Sequence, residues 1–263
     1  MVLLKDLEID HPHFSVLRDR TTNRSALFNQ AVADAKGKWL LFVESHCIMR
    51  RDWLKKYLLF LENQKDQIVR GNIKDLPNGS WIGKTEEIIR NQIETARNLE
   101  NKTAYYLDFH HTAFLRELYL SIGGLDSDLW ILGEFELGAR LHNLGYTIGV
   151  WNEILVWHKN DTALSSYMKN SHQHGKDTMR VFQTHGSEFA TKYFPNPIFR
   201  RLSIVRNFPG LLLNISRFLN VIGFLGCNIL QALKCRKAYN CFFSLYGKNI
   251  HRTGMLQEYK NHG

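Results

Sequence analysis

The chain has 263 residues, of which 44% are hydrophobic, so it can form one large domain with a sizeable core, with or without an appendage. Its formal net charge of +9 is concentrated in the tail, since residues 196–263 hold ten of the 34 Lys and Arg residues but one of the 25 acidic ones, Glu258. A nucleic-acid-binding protein spreads its basic residues over a binding face. A neutral body with a basic, apolar tail instead favours an anionic membrane surface, and we expect no nucleic-acid partner.

The cysteines and the first residues indicate a cytoplasmic protein. The four cysteines match no zinc-binding spacing, so we expect free thiols in a reducing compartment. The start of the chain becomes charged too early for a signal peptide. We therefore expect the chain at the inner face of the membrane, either peripheral or anchored.

Helices and strands alternate along the first part of the chain. Thr21-Thr22-Asn23 can cap a helix that Gly37 ends. The apolar run that follows, residues 38–46, has the composition of a buried parallel strand. Asp52 opens an amphipathic helix, and residues 67–71 form the next predicted strand.

The alternation continues to about residue 194. The further predicted elements are a helix over 85–100, a strand over 104–113, a helix over 114–122, a helix over 134–145, strands over 147–151 and 154–158, and a helix over 162–184. This order predicts an α/β domain over residues 1–194.

The tail, residues 195–263, differs from the body. Its segment 208–233 is largely apolar, but Arg217 divides it and leaves roughly 16 residues, whereas a spanning helix needs about 20. We favour an interfacial helix flanked by basic residues. A spanning helix and a helix packed on the α/β body are the alternatives.

The end of the strand over 38–46 carries candidate chemistry. Glu44 and His46 are two positions apart, so their side chains point to the same side of the strand. Ligands bind at the carboxyl ends of strands in open α/β sheets, and a carboxylate and an imidazole there can hold a divalent metal. The alternative is a solvated strand end.

Three motifs in order resemble an inverting family 2 glycosyltransferase with the GT-A fold. They are Glu44-Ser45-His46, then Gly123-Gly124-Leu125-Asp126 followed by Gly133-Glu134-Phe135-Glu136-Leu137, and Val156-Trp157-His158. The family's Asn-containing helix and Ala-x-Gly turn are matched by Asn29 and Ala35-Lys36-Gly37. The resemblance runs from about Arg20 to Gly175. It implies a partial GT-A, Rossmann-type mixed sheet flanked by helices, ahead of the helical membrane-associated tail.

The resemblance also implies a metal-dependent site. His46, in place of the second Asp of the family's Asp-x-Asp motif, and His158 would bind the metal, with Glu44 near the metal or the ribose. Two imidazole ligands favour Mn²⁺ over Mg²⁺. Glu134 would be the catalytic base, and its alternative role is a carboxylate that suits a helix N-terminus.

Other residues are expected to bind substrates. Asn29 is expected to bind substrate, and His110 and His111 could contact the donor sugar or the acceptor. A UDP-sugar is the first choice of donor. Trp130 could stack on an acceptor sugar, and a core role is the alternative. Glu136 and Arg140 are spaced as a surface ion pair.

The start of the chain departs from the family pattern. Residues 1–20 are too short for the strands that normally grip the nucleotide base, so we expect an N-terminally truncated domain that could need a homo- or hetero-oligomeric partner. The first hypothesis is a glycosyltransferase acting on a saccharide or lipid-linked acceptor. The alternatives are an inactive membrane-associated binding or scaffold subunit, or gene fragment, and a metal-dependent hydrolase.

Overall fold

The computed structural model describes residues 15–17, 23–62, 66–76, 80–85, 87–88, 107–160, 163–194, 196 and 207–262. The N-terminal region expected to be truncated and most of the helix predicted over 85–100 lie outside these residues. The elements are α1 (Arg24–Asp34), β1 (Trp39–Val43), β2 (Cys47–Met49), α2 (Trp53–Glu62), β3 (Ile68–Asp75), β4 (His111–Leu115), α3 (Arg116–Ser121), α4 (Gly133–Asn143), β5 (Gly149–His158), α5 (Leu164–Tyr193), α6 (Pro209–Ala232) and α7 (Arg236–His262).

The strands form one mixed sheet in the order β1-β4-β3-β5-β2. Strands β3 and β5 are parallel, whereas β1–β4, β3–β4 and β2–β5 are antiparallel. The prediction of a parallel strand over 38–46 is therefore wrong for its described pairing, because β1 runs antiparallel to β4 from Trp39 opposite Leu115 to Val43 opposite His111. An apolar run reports burial on both faces but not the direction of the neighbouring strand.

The two strands predicted over 147–158 are one strand in the structure. The register between β3 and β5 jumps between Gly71, opposite Trp151, and Asn72, opposite Leu155. A bulge of this kind interrupts the apolar alternation that marks a strand in the sequence without ending the strand. It leaves His158 at the last position of β5, opposite Asp75.

Helices cover both faces of the sheet. Alternating residues of β1 point to opposite sides, so that Leu40 and Phe42 pack with α1, α3 and α4, while Leu41 and Val43 pack with α2. The rings of Phe42 and Phe109 stack with their centroids 3.9 Å apart. This two-sided packing fixes the carboxyl end of β1, where Glu44 follows, relative to α1 and α4.

The C-terminal helices form a second layer in which α7 packs against both α5 and α6. Gly175 of α5 and Gly254 of α7 allow the close approach, because a Cβ atom at either position would overlap the backbone carbonyl of His251 or His172. The chain thus has the helical tail that the sequence predicts, and one face of α6 is packed against protein. The division of the chain after residue 194 stays a prediction.

Helix α6 is, among the described helices, the one long and apolar enough to cross a membrane. Only 22% of its most apolar 18-residue window is buried inside the protein. The exposed apolar residues of α6 are Leu211, Ile215, Phe218, Leu219, Val221, Ile222, Phe224, Leu225 and Ile229. Leu233, which directly follows the helix, is also exposed. On a helical wheel most of them lie opposite the packed face, which includes Leu213, Ser216, Gly223 and Cys227.

Candidate functional site

Three histidines from different parts of the chain meet at one edge of the sheet. His46 lies in the turn between β1 and β2, His110 directly precedes β4, and His158 ends β5. One ring nitrogen of each lies within 4.8 Å of those of the other two, which makes this a candidate metal centre among the described residues. The ring centroid of His158 is 4.7 Å from that of His46 and 4.7 Å from that of His110.

Carboxylates contact the Nδ1 atoms of two of these rings. The Nδ1 atom of His158 is 3.3 Å from Asp75 Oδ1 and 2.9 Å from Asn160 Oδ1. The Nδ1 atom of His110 is 3.2 Å from Asp108 Oδ1. A metal-binding histidine commonly pairs its second ring nitrogen with a carboxylate, which fixes the orientation of the ring. This arrangement leaves the Nε2 atoms of His110 and His158 for the centre.

Glu44 lies next to two of the three histidines. Its Oε2 atom lies 2.9 Å from His46 Nε2 and 3.3 Å from His110 Nε2. Three imidazoles and a carboxylate form a donor set that fits a divalent transition ion. The sequence prediction paired His46 with His158 and assigned His110 to substrate, and the structure groups all three. The available signal was Asp108, two residues before His110 and therefore able to orient it.

Glu134 is linked to this centre through Arg24. Arg24, the first residue of α1, donates to Glu44 through Nη1 and to both carboxylate oxygens of Glu134 through Nη2, with Glu134 Oε2 at 2.5 Å. Glu134 is buried, and burial raises its pKa above the ordinary value although the ion pair with Arg24 opposes that shift. Sequence reasoning missed Arg24, because no motif of the resemblance contains it.

Residues 2–123 match the family model described as glycosyl transferase family 2. This match covers somewhat less than half of the chain and makes the region similar to family 2 glycosyltransferases. Its fold is that of a mannosyltransferase, PcManGT from Pyrobaculum calidifontis in complex with GDP-Man and Mn²⁺, with a TM-score of 0.59 at 14% identity over 100% of this chain and 74% of that one. The S. aureus TarS 1-349 complex with UDP-GlcNAc has a TM-score of 0.48 at 12% identity, over 99% of this chain and 79% of that one. No curated protein matches the sequence.

The family match and the similar fold support a glycosyltransferase with a GT-A-like α/β domain. The order of motifs in the sequence therefore indicated the right family. A divalent metal is consistent with the histidine cluster.

Asn29, predicted to bind substrate, makes structural hydrogen bonds in this fold, and its contact with substrate stays a prediction. Its Nδ2 donates to the Leu125 carbonyl at 2.7 Å, and its Oδ1 accepts from the Tyr119 hydroxyl at 2.7 Å and the Leu125 N–H at 3.0 Å. The amide thereby holds the Gly123-Gly124 turn, where both glycines have positive φ. A helical Asn in a family motif does not show by itself which partner it binds.

His111 and Trp130 differ in accessibility. His111 is completely buried, its ring beside Tyr57 and Gly71, so the prediction that it contacts substrate fails in this structure. The cause is the alternation of β4, which points neighbouring residues to opposite faces. Trp130 is 48% exposed, which excludes the alternative core role and leaves its ring available to a sugar.

Glu136 and Arg140 do not form the surface pair that their spacing suggests. Glu136 is buried and accepts from Arg140 Nε at 2.6 Å, while His185 Nε2 approaches it at 2.9 Å. Arg140 also donates to the carbonyls of Ile122 and Gly124. The pair therefore holds the Gly123-Gly124 turn against α4. Glu136 lies two residues after Glu134 in this helix.

Proposed function

We propose that this chain transfers a sugar from a nucleotide-sugar donor to a saccharide or lipid-linked acceptor, with a divalent metal and inversion at the anomeric carbon. The observation that supports this most is the shared guanidinium of Arg24, which joins the buried Glu134 carboxylate to Glu44 beside the three histidines. A candidate base and a candidate metal centre thus lie on either side of one residue.

The metal centre would be held by His46, His110 and His158, with Glu44 adjacent. A divalent ion bound there neutralises charge that develops on the leaving diphosphate. Imidazole-rich sites prefer transition ions, so we propose Mn²⁺ ahead of Mg²⁺. The Mn²⁺ in the mannosyltransferase complex supports that choice.

Glu134 is the proposed general base. Its carboxylate accepts the proton of an acceptor hydroxyl, whose oxygen forms a bond to the anomeric carbon as the bond to the nucleoside diphosphate breaks. Arg24 holds this carboxylate in one orientation and favours its ionised form. A single displacement of this kind inverts the anomeric configuration.

Donor and acceptor are proposed at the level of class. A UDP-sugar is the first donor to test, and a GDP-sugar is the second because the mannosyltransferase of similar fold was solved with GDP-Man. The exposed Trp130 offers an aromatic face to an acceptor sugar.

Helix α6 is the proposed contact with an anionic membrane on the cytoplasmic side. Its packed face contacts α7 through polar groups, since Ser216 Oγ and Thr253 Oγ1 are 2.6 Å apart and Asn220 Nδ2 donates to Thr253 Oγ1 at 2.8 Å. A helix that is held along one side by polar contacts and exposes apolar residues on the other suits the plane of the interface. The basic residues Arg217, Lys234, Arg236 and Lys237 are exposed along and after it.

Calorimetric titration of UDP and of GDP, each with Mn²⁺ and then with EDTA, tests the donor site. Binding that requires the metal supports the proposal, and Glu134→Gln should retain that binding while losing transfer. A Gln variant that transfers sugar at the wild-type rate would exclude Glu134 as the base. Absence of binding by either nucleotide to the folded chain would favour the inactive scaffold subunit.

A further inference from the structure

A loop between α3 and α4, residues 125–132, leads to Glu134 and exposes Trp130; we refer to it as the Trp130 loop. Three consecutive backbone N–H groups of this loop converge on one oxygen of Asp177, a fully buried residue of α5. The distances to Asp177 Oδ2 are 3.0 Å from Trp130, 2.7 Å from Ile131 and 3.1 Å from Leu132. The other oxygen, Oδ1, accepts from Gln173 Nε2 at 2.8 Å.

The carbonyl groups of the Trp130 loop accept hydrogen bonds from side chains outside the loop. Side chains of α1 and of its cap residue Asn23 donate to three of them, and a side chain of α5 donates to a fourth: Asn29 to Leu125, Asn23 to Ser127, Ser25 to Leu129 and Arg180 to Asp128. The loop is therefore fixed between α1 and α5. Its N–H groups nearest to Glu134 depend on Asp177.

The arrangement around Asp177 offsets the cost of burying a carboxylate. Burial raises the pKa of Asp177, and the hydrogen bonds from the loop and from Gln173 oppose that shift. Donors aimed at one anionic oxygen form strong, charge-assisted hydrogen bonds, whereas an alanine would leave three N–H groups of the loop without this acceptor.

We propose that Asp177 is a positioning residue for glycosyl transfer: through the Trp130 loop it fixes Glu134 and Trp130 relative to the metal centre. This inference rests on the proposed function, with Glu134 as the base. Asp177 acts through the backbone that immediately precedes α4, whose second residue is Glu134. A displacement of about 1 Å in a base or an acceptor site can lower turnover on the order of 100-fold.

The experiment compares wild type with Asp177→Ala, Asp177→Asn and a control. Gly223→Ala is the control, because a Cβ there would overlap Tyr246 in the α6–α7 contact and so disturb packing away from the loop. Two quantities are measured: hydrogen exchange of the amides of residues 130–132, and steady-state release of nucleoside diphosphate from UDP-GlcNAc and GDP-mannose with Mn²⁺, with water as the acceptor of the sugar.

For Asp177→Ala we expect faster exchange at residues 130–132 and a kcat lower on the order of 100-fold, with the KM for the donor within about threefold of wild type. Asp177→Asn keeps one oxygen acceptor and should recover kcat to within about tenfold. Gly223→Ala should lower the melting temperature without this selective loss of kcat. The pattern separates positioning from general stability.

Different results contradict different claims. Wild-type exchange at residues 130–132 or wild-type kcat in Asp177→Ala would overturn the positioning role while the proposed function stands. Should Asp177→Ala fail to fold, Asp177→Leu removes the acceptor while filling the space, and wild-type exchange at residues 130–132 or wild-type kcat in that variant would overturn the role equally. A folded wild-type chain that releases nucleotide from neither donor would overturn the proposed function, and the positioning role with it.

Discussion

Arg24 donates to both carboxylate oxygens of Glu134, although 110 residues separate the two along the chain. The same guanidinium donates to Glu44, so the pKa of Arg24 is raised by two carboxylates even though burial opposes that shift. Glu134 is a buried anion whose charge depends on this partner. Any proton transfer by Glu134 should therefore respond to a change at Arg24.

Arg24→Met should move the acid limb of the pH–activity profile to higher pH. Without the cation, burial alone governs Glu134 and its pKa rises further, so the base is protonated over more of the acid range. Arg24→Lys keeps the charge but loses the two-pronged geometry, and its shift should be smaller. The measurement is kcat/KM for the donor with Mn²⁺ from pH 5 to pH 9, with exposed Arg51→Met as the control. An unchanged acid limb in Arg24→Met would show that Arg24 does not act on the base.

Replacement of the cluster histidines should weaken metal binding. His46→Ala, His110→Ala and His158→Ala each remove a candidate ligand nitrogen of the centre. Asp75→Asn should lower Mn²⁺ affinity by roughly 10–100-fold, the usual effect of losing an outer partner of a metal-binding histidine. Calorimetry or electron paramagnetic resonance of bound Mn²⁺ measures this, after EDTA treatment and removal of the chelator.

The control for the metal experiment is His142→Ala, whose ring contacts the Tyr193 hydroxyl at 2.9 Å in another part of the domain. His110→Ala is the most informative variant, because it distinguishes a metal-binding role of His110 from the substrate contact that the sequence predicted. Wild-type Mn²⁺ affinity in that variant would return His110 to the substrate-binding role.

Acid should destabilise the contact between α5 and α7. Burial lowers the pKa of both His174 and His251 to about 4, with the positive charge of neighbouring groups as a smaller cause. The unfolded chain titrates near 6.5, so between these values it binds more protons than the folded chain, and stability falls as pH decreases from about 6.5 to 4. For His251 alone the loss between pH 7 and pH 5 is about 1–2 kcal/mol.

Urea unfolding at pH 7 and pH 5 measures this effect as a difference between wild type and His251→Gln. The variant removes one titrating ring, so its stability should change less with pH than that of wild type. Acidic groups titrate equally in both proteins and cancel in the comparison. An identical pH dependence in the two proteins would show that His251 keeps its ordinary pKa in the fold.

Helix α6 should mediate binding to anionic vesicles. Replacing Phe218, Leu225 and Ile229 by Gln removes three exposed apolar side chains, each of which contributes about 1.5–3 kcal/mol if fully buried in the membrane. We expect loss of co-sedimentation with vesicles of phosphatidylserine and phosphatidylcholine at 0.1 M salt. For the wild-type protein, weaker binding to purely zwitterionic vesicles at the same salt would measure the contribution of the basic residues to membrane binding.

A matched triple variant on α2, with Leu54, Leu58 and Leu59 changed to Gln, is the control because these residues are also exposed. It should bind vesicles like wild type. Equal binding by the α6 variant would exclude α6 as the membrane contact and would favour a protein partner for that face.

Sequence patterns located the elements well, because helices and strands depend on local periodicity and on capping residues. The Asn23 cap, the helix that ends before Gly145 and the strand ends at Glu44 and His158 follow from such local signals. The order of motifs was also sufficient for the family. Local patterns did not give the antiparallel pairing of β1 with β4, since the partner of a strand is a property of the whole sheet.

The composition of the site was decided by the tertiary structure. The sequence determined that Glu44, His46, Glu134 and His158 lie at element ends, where side chains can converge. Only the fold grouped His110 with His46 and His158, linked Arg24 to Glu134, buried His111 and brought Asp177 beneath the Trp130 loop. The reason is physical: position along an element depends on neighbours in the chain, whereas an ion pair or a ligand set depends on distances between segments that are far apart in sequence.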